Sequence, residues 1–296
     1  MSGLCLYRAS GCSPVGASMA ASIAAARAGV SRVAEHPFMI GADGEPIRGA
    51  LYSELDPVSF GATRVVELGS RGLSAVLADV PTAGHPVPLL LSMPELRPGW
   101  TEADDRIVIT KLVAVAAELG HQLVPRVVAR GHAGGLAALR SARASMAQAT
   151  DVCLVGGLDS YWHPDTIDHL IATRQLASAQ TRGAFLPGEG AGFLLVGTPT
   201  ARSFLRLPAV TRFAGVGVAD EPNTYDSNRE NLGRGMAKAV KDALSEAGGK
   251  PSIAGVLCDI NGQRHRSEEL GFVALRLSQT GVQFSDYLAP TDAWGD

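Results

Sequence analysis

The chain has 296 residues, 46% of them hydrophobic and 19% charged, with a formal net charge of −3. That balance fits a globular protein with a sizeable core and argues against nucleic acid as the main partner, since no basic stripe accompanies it. No run reaches the roughly 20 apolar residues of a membrane helix, and the opening MSGLCLYRASGCSPVG lacks the basic-then-apolar order of a signal peptide. The expected compartment is the cytoplasm.

In chain order, GLCLYRA reads as a first strand and ASMAASIAAARAG as an alanine-rich helix. The polar, glycine-containing SRVAEHPFMIGADGEPIRG reads as a hairpin or cap. GATRVVELGSRGLSAVLADV predicts a second helix, VPLLLS a strand, and TEADDRIVITKLVAVAAELG a third helix. Thr101 suits the N-cap of that helix, Asp104 its first turn and Gly120 its stop. VVARGHAGGLAAL, residues 127–139, reads as strand, tight turn and helix, an elbow of the kind that carries nucleophiles, with His132 at its tip. The small residues of GLAALRSARASMAQA suit a helix enclosed by other elements. DVCLVGGLDS is a strand whose Gly156 and Gly157 allow close approach, and GEGAGFLLVG predicts a glycine turn leading into another strand.

TPTARSFLRLP reads as a connection to a second half. There AVTRFAGVGV predicts a strand, NLGRGMAKAVKDALSEAGG a helix, IAGVLCDI a strand, SEELGFVALRLSQ a helix, and a short strand ends the chain. Alternation of strands and helices predicts a layered α/β architecture. The four cysteines, Cys5, Cys12, Cys153 and Cys258, show neither CxxC pairing nor zinc spacing and read as core thiols.

Five segments together resemble the β-ketoacyl-ACP synthases of the thiolase superfamily. These are ASGCSPVGASMAASIAAARAG, the elbow with GHAGGLAALRSARASMAQATDVCLVGGLDS, PGEGAGFLLV, GMAKAVKDALSEAGGKPSIAGVLCDING and VQFSDYLAPTDAWGD. The resemblance implies a five-layered α-β-α-β-α sandwich of two similar halves, 1–200 and 201–296, dimeric through the strand LVPRVVA. The family pattern continues past Asp296, which implies a second half that is incomplete at its C-terminus or completed by a partner.

The family's condensation uses a cysteine thiolate, two histidines and a lysine. By the resemblance these roles fall on His132, Asn261, Asp296 and Thr291, so all four positions are substituted; His265 lies near but at the wrong offset. Two readings stand. In one, the protein does not condense and serves as a binding or partner subunit in acyl-chain synthesis. Its ligand is then an acyl carrier protein or acyl-CoA, and it pairs with itself or with a synthase. In the other, His132 is the base of an acyl-thioester hydrolase or acyltransferase, with Asp296 holding its tautomer and Asn261 donating to the oxyanion. Whether the chain is an enzyme stays open, and neither reading calls for a cofactor or a metal.

Glu189 of GEGAG reads as structural, satisfying local backbone donors. His163, Asp165, Asp168 and His169 imitate a metal site, yet Pro164 and Asp165 suit a helix start and no third ligand is evident. Arg140 and Arg143 fit either a carrier-protein phosphate or carboxylates at a contact. The loop GVADEPNTYDSNRENLG would, in this fold, approach the pocket entrance.

Overall fold

A computed structural model describes residues 3–81, 85–146, 151–225, 227, 229–248, 253–282 and 286–296. The chain opens with β1 (Leu4–Cys12) and α1 (Met19–Arg27), then an antiparallel hairpin of β2 (Val33–Ile40) and β3 (Pro46–Ala50) where a hairpin is expected. Next come α2 (Gly61–Leu77), β4 (Val87–Met93), α3 (Glu102–Glu118), β5 (Leu123–Arg130), α4 (Gly134–Met146) and β6 (Val152–Ser160). Thr101 caps α3 in a reciprocal box with Asp104, so the start read from the sequence is the observed one. The expected end of α4, at 147–149, lies outside the described residues.

After α5 (Pro164–Ala172), β7 (Glu189–Gly197) and the short α6 (Ala201–Leu205) complete the first part of the chain. The remainder is β8 (Thr211–Phe213), α7 (Arg234–Glu246), β9 (Val256–Leu257), α8 (Arg264–Ser278), β10 (Tyr287–Leu288) and α9 (Thr291–Trp294).

Among the described residues the main sheet has six strands, in the order β5-β4-β6-β7-β1-β8. β4 runs parallel to β5 and β6, whereas β7 runs antiparallel to β6 and β1, which makes the sheet mixed. Alternating side chains feed opposite layers. Leu89 and Leu91 of β4 join the core under α2 and α3, and Leu90 between them packs with Ala138, Leu139 and Ala142 of α4. Each fully buried leucine stabilises the fold by about 1.5–3 kcal/mol. Ala138 and Ala142 of α4 are fully buried, whereas Ala144 and Leu136 are exposed, so the small-residue pattern marks one enclosed face of the helix and not all of it. Among the described residues no helix is long and apolar enough to cross a membrane.

Three expectations change. The GEGAG segment is not a turn before the strand but part of it: Glu189 and Gly190 already pair with Ser160 and Asp159 of β6, so ladder hydrogen bonds hold the segment extended. The strands expected at 209–218 and 253–260 shrink to Thr211–Phe213 and Val256–Leu257. Among the described residues β8 pairs only with β1 and β9 only with β10, so little ladder exists to extend them. The helix expected from 267 begins three residues earlier, at Arg264. A second, smaller core forms where Ala237 of α7 meets Val273 and Leu277 of α8.

Beneath the sheet, Arg64 of α2 and Glu189 of β7 form an ion pair with both side chains at 0% exposure. Glu189 accepts from Arg64 at 2.5 and 2.7 Å, from the backbone N–H of Tyr52 at 2.6 Å and from the hydroxyl of Ser160 at 3.0 Å. The glutamate is therefore structural, as expected, although its chief partner is a guanidinium rather than backbone. Removing one member strands the other charge without water, at a cost of about 3–5 kcal/mol. Urea unfolding of Glu189→Gln should register that loss, while the apolar double variant Arg64→Met/Glu189→Leu should lose much less.

Candidate functional site

Parallel pairing of β5 with β4 delivers the chain to Gly131, where a left-handed φ of 72° turns it into α4. The Gly131 N–H donates to Met93 O at 3.0 Å, and the Gly134 N–H donates to Gly131 O at 3.0 Å. A Cβ on Gly134 would meet Ser92 Oγ at 1.8 Å, so only glycine lets the helix start this close to β4. The elbow expected from the sequence is thus built, with its left-handed backbone at Gly131 and not at His132.

His132 Nε2 lies 2.9 Å from Asp296 Oδ2, joining residues 164 positions apart. Asp296 is fixed through its backbone: its N–H donates to Leu186 O at 2.9 Å, and its carbonyl accepts from Gly188 N at 3.0 Å. Its side chain is 3% exposed, against 37% for His132. Asn261 is buried nearby, but its amide Nδ2 donates to Gln263 Oε1 at 3.1 Å and also favours charge on Asp296. The expected oxyanion donor is therefore already engaged. Thr291 donates its hydroxyl to Ile260 O.

Arg266 was not legible as a site residue. Its Nη2 sits 3.2 Å from His132 Nδ1 and 4.0 Å from Asp296 Oδ2, and the guanidinium is also paired with Asp259. An arginine only donates, so Nδ1 accepts and the neutral imidazole carries its proton on Nε2, toward Asp296; the tautomer follows from these partners. Burial disfavours the charged imidazole, yet the hydrogen bond and charge of Asp296 outweigh it and raise the His132 pKa above the ordinary 6.5. Burial likewise pushes the Asp296 carboxyl up, and His132, Arg266 and Asn261 together hold it below the usual 3.8.

None of the four cysteines takes the elbow tip. Burial pushes Cys12 and Cys153 up to about 11, and Cys12 donates its thiol to Leu68 O at 3.6 Å. Cys5 is also buried, and Cys258 donates to Leu288 O at 3.7 Å.

Three cavities border His132. One of about 420 Å³ lies beneath the elbow, bounded by Cys12, Met19, Thr291 and Asp296. A polar one of about 410 Å³ opens past Arg130, Tyr225 and Arg266. A third of about 590 Å³ runs between α7 and α8. Tyr225, from the loop expected at the pocket entrance, stacks on His265 with centroids 4.6 Å apart.

His163 caps α5 by accepting from Asp165 N at 3.1 Å, and among the described residues no group of three or more His, Cys, Asp and Glu is placed to hold a metal ion. Arg140 and Arg143 both reach Glu246 of α7 and backbone carbonyls of Val216 and Phe213, so their carboxylate lies within this chain rather than across a subunit contact.

The His132–Asp296 contact has a definite pH window. The raised imidazole stabilises the fold below about pH 6.5 and loses that contribution as pH rises through its folded value; the depressed carboxylate stabilises above about pH 3.8 and loses it as pH falls through its own. NMR titration should place the His132 midpoint above 6.5 and move it down in Asp296→Asn.

No family model and no curated protein matches the chain. Solved structures do match. A ketosynthase from module 6 of the bacillaene synthase from Bacillus subtilis 168 superposes with a TM-score of 0.71 at 14% identity, covering 99% of this chain and 57% of that one. A type II polyketide-synthase acyl-carrier protein in complex with its ketosynthase, bound to the hexaketide, gives 0.77 at 15% identity over 100% of this chain and 82% of that one. The ishigamide ketosynthase/chain length factor gives 0.75 at 16% identity over 99% and 81%. The chain thus spans 57% of the bacillaene ketosynthase. At these identities the likeness is one of architecture: the chain has the mixed α/β fold of these ketosynthases.

Proposed function

We propose that the protein is a non-condensing ketosynthase-like subunit, which binds an acyl thioester or its carrier in acyl-chain or polyketide synthesis without taking the acyl group onto a cysteine. The observation that carries this reading is the elbow tip. Condensation needs a thiolate that forms a thioester, and the tip instead bears an imidazole. That imidazole is tied to Asp296 on one nitrogen and faces Arg266 on the other. In this reading the chain comprises a thiolase-like half over 1–200 and a second over 201–296, which contains the small parallel sheet of β9 and β10.

The partners follow from the same reading. One matched structure is a carrier protein in complex with its ketosynthase, and another is a ketosynthase/chain length factor, which supports an acyl carrier protein as ligand and an intact synthase or a second copy as dimer partner. β5 is the edge strand of the main sheet, with Val124 52% exposed, and offers backbone groups for such pairing.

A second reading has one specific observation in its favour, the 2.9 Å His132–Asp296 contact. A carboxylate that fixes the tautomer and raises basicity is what a hydrolase or acyltransferase base requires. Against it, the lone pair of Nδ1 points at Arg266, so a water or alcohol reaches that nitrogen only if the guanidinium moves aside.

The test is thiol release from acyl-CoA and acyl-carrier thioesters, followed in parallel by intact-protein mass. The binding reading expects saturable binding, no acyl mass gain and no release above buffer. Release by the wild type that disappears in His132→Ala would replace it with the hydrolase reading. A stable acyl adduct that disappears on Cys258→Ala would overturn the non-covalent claim.

A further inference from the structure

The β2–β3 hairpin carries a buried histidine that the candidate site does not use. Between the Glu35–Arg48 and Ile40–Pro46 pairs, residues 36–39 of β2 stand opposite Ile47 alone, so a wide bulge breaks the ladder. The His36 imidazole braces this break. Its Nδ1 accepts the backbone N–H of Phe38 at 3.2 Å and of Met39 at 3.0 Å, and the ring lies over Trp162 with centroids 4.8 Å apart. Two donors fix Nδ1 as an acceptor, which assigns the ring proton to Nε2; that atom is buried and has no acceptor among the described residues. His36 is 3% exposed, although Pro37 and Phe38 beside it face solvent.

A second proton on this ring can go only to Nδ1, where it would meet two N–H groups in place of a lone pair. The closed bulge and the imidazolium therefore exclude each other. Burial, and behind it the charge of Arg64, hold the ring below the ordinary 6.5. Arg64 of α2 is itself committed to Glu189, and His163, next to Trp162, caps α5. Glu35 and Arg48 of the hairpin and Asp292 of α9 are exposed, so among the described residues no buried carboxylate offsets the lost lone pair.

The hairpin also touches the chain segments that hold Asp296. Ahead of β2, the Ser31 hydroxyl donates to Asp292 O and the Arg32 N–H to Ala293 O, both at 3.0 Å. At the end of β3, the Ala50 N–H donates to Pro187 O at 2.8 Å, between the two residues that bond the Asp296 backbone. We propose that His36 is a proton-operated latch: neutral, it closes the bulge over Trp162; protonated, it leaves the bulge and loosens the hairpin's grip on the segments that position Asp296. The latch does not depend on the acyl-binding reading, since no ligand takes part. An open ring titrates near 6.5 and the closed ring below it. The closed form is thus fully favoured above about pH 6.5 and loses about tenfold against the open form for each pH unit below, down to the closed ring's own value.

The test is amide hydrogen exchange read by NMR on the full chain from about pH 8 to about pH 5, corrected for the pH dependence of free amides, in the wild type and in His36→Asn. Asparagine puts a carbonyl oxygen where Nδ1 stood and does not titrate. His132 is present in both proteins, so their difference reports His36. In the wild type the Phe38 and Met39 amides should lose about tenfold in protection per pH unit below about 6.5, with the Gly188 and Asp296 amides following; all four should hold in His36→Asn. Four flat profiles in the wild type, or an equal loss in His36→Asn, overturn the latch. A loss confined to Phe38 and Met39 overturns its link to Asp296. If His36→Asn does not fold, the wild-type ring decides. A His36 midpoint below 6.5 that coincides with shifts of the Phe38 and Met39 amides supports the latch; an ordinary midpoint, or a proton gained while those amides stay unmoved, overturns it.

Discussion

The architecture depends on a desolvated charge. Arg64 is fully buried, and an isolated guanidinium there would be prohibitive, so the fold needs the Glu189 carboxylate where it is. That requirement reaches well beyond the pair. The same carboxylate takes the Tyr52 N–H and the Ser160 hydroxyl, and Arg64 donates to Asp56 O at 2.8 Å. One ion pair thereby sets the depth of α2 against the sheet, the path of the chain from β3 into α2, and the register in which β7 enters beside β6. The segment just ahead of β7, Leu186–Gly188, is the one that grips the backbone of Asp296. The site is anchored to the core through that segment.

At the elbow the backbone and the side chain at its tip have separate determinants. Its geometry comes from Gly131, Gly134 and the β4–β5 pairing, none of which involves the side chain at the tip. A histidine can stand there without disturbing the backbone. What it does is then set by the groups around it: Asp296 favours its charge, Arg266 opposes it, and Asn261 is committed to Gln263. Fold and function separate at this point, which is why the similarity to ketosynthases describes the scaffold and the side chains carry the argument about activity.

Much of the scaffold was readable from the sequence where elements are long and capped. Thr101 with Asp104, the small residues of α4 and the strand DVCLVGGLDS all carry local signals that tertiary packing reinforces. The meeting of His132 with Asp296 was approachable only by resemblance, since no local pattern links residues that far apart. Arg266 was missed for a definite reason. With α8 read from 267, Arg266 fell in a loop; with the helix starting at Arg264, it stands in the first turn and faces the elbow. The GEGAG stretch misleads in the opposite sense, because its three glycines signal a turn in isolation, whereas flanking strands hold Gly190 and Gly192 extended. Sequence pattern overstates short strands such as β9 because β-branched composition cannot show whether a neighbour exists.

The span of 164 residues between His132 and Asp296 also has a temporal consequence. Contacts between neighbours in sequence form early, whereas pairings of such separation bear the entropy of closing a long loop and come late in folding. The elbow can assemble from residues 87–134 while the imidazole still lacks its carboxylate. Its acid–base character is therefore a property of the assembled fold: without the distant carboxylate, nothing offsets the burial and the Arg266 charge that disfavour the imidazolium.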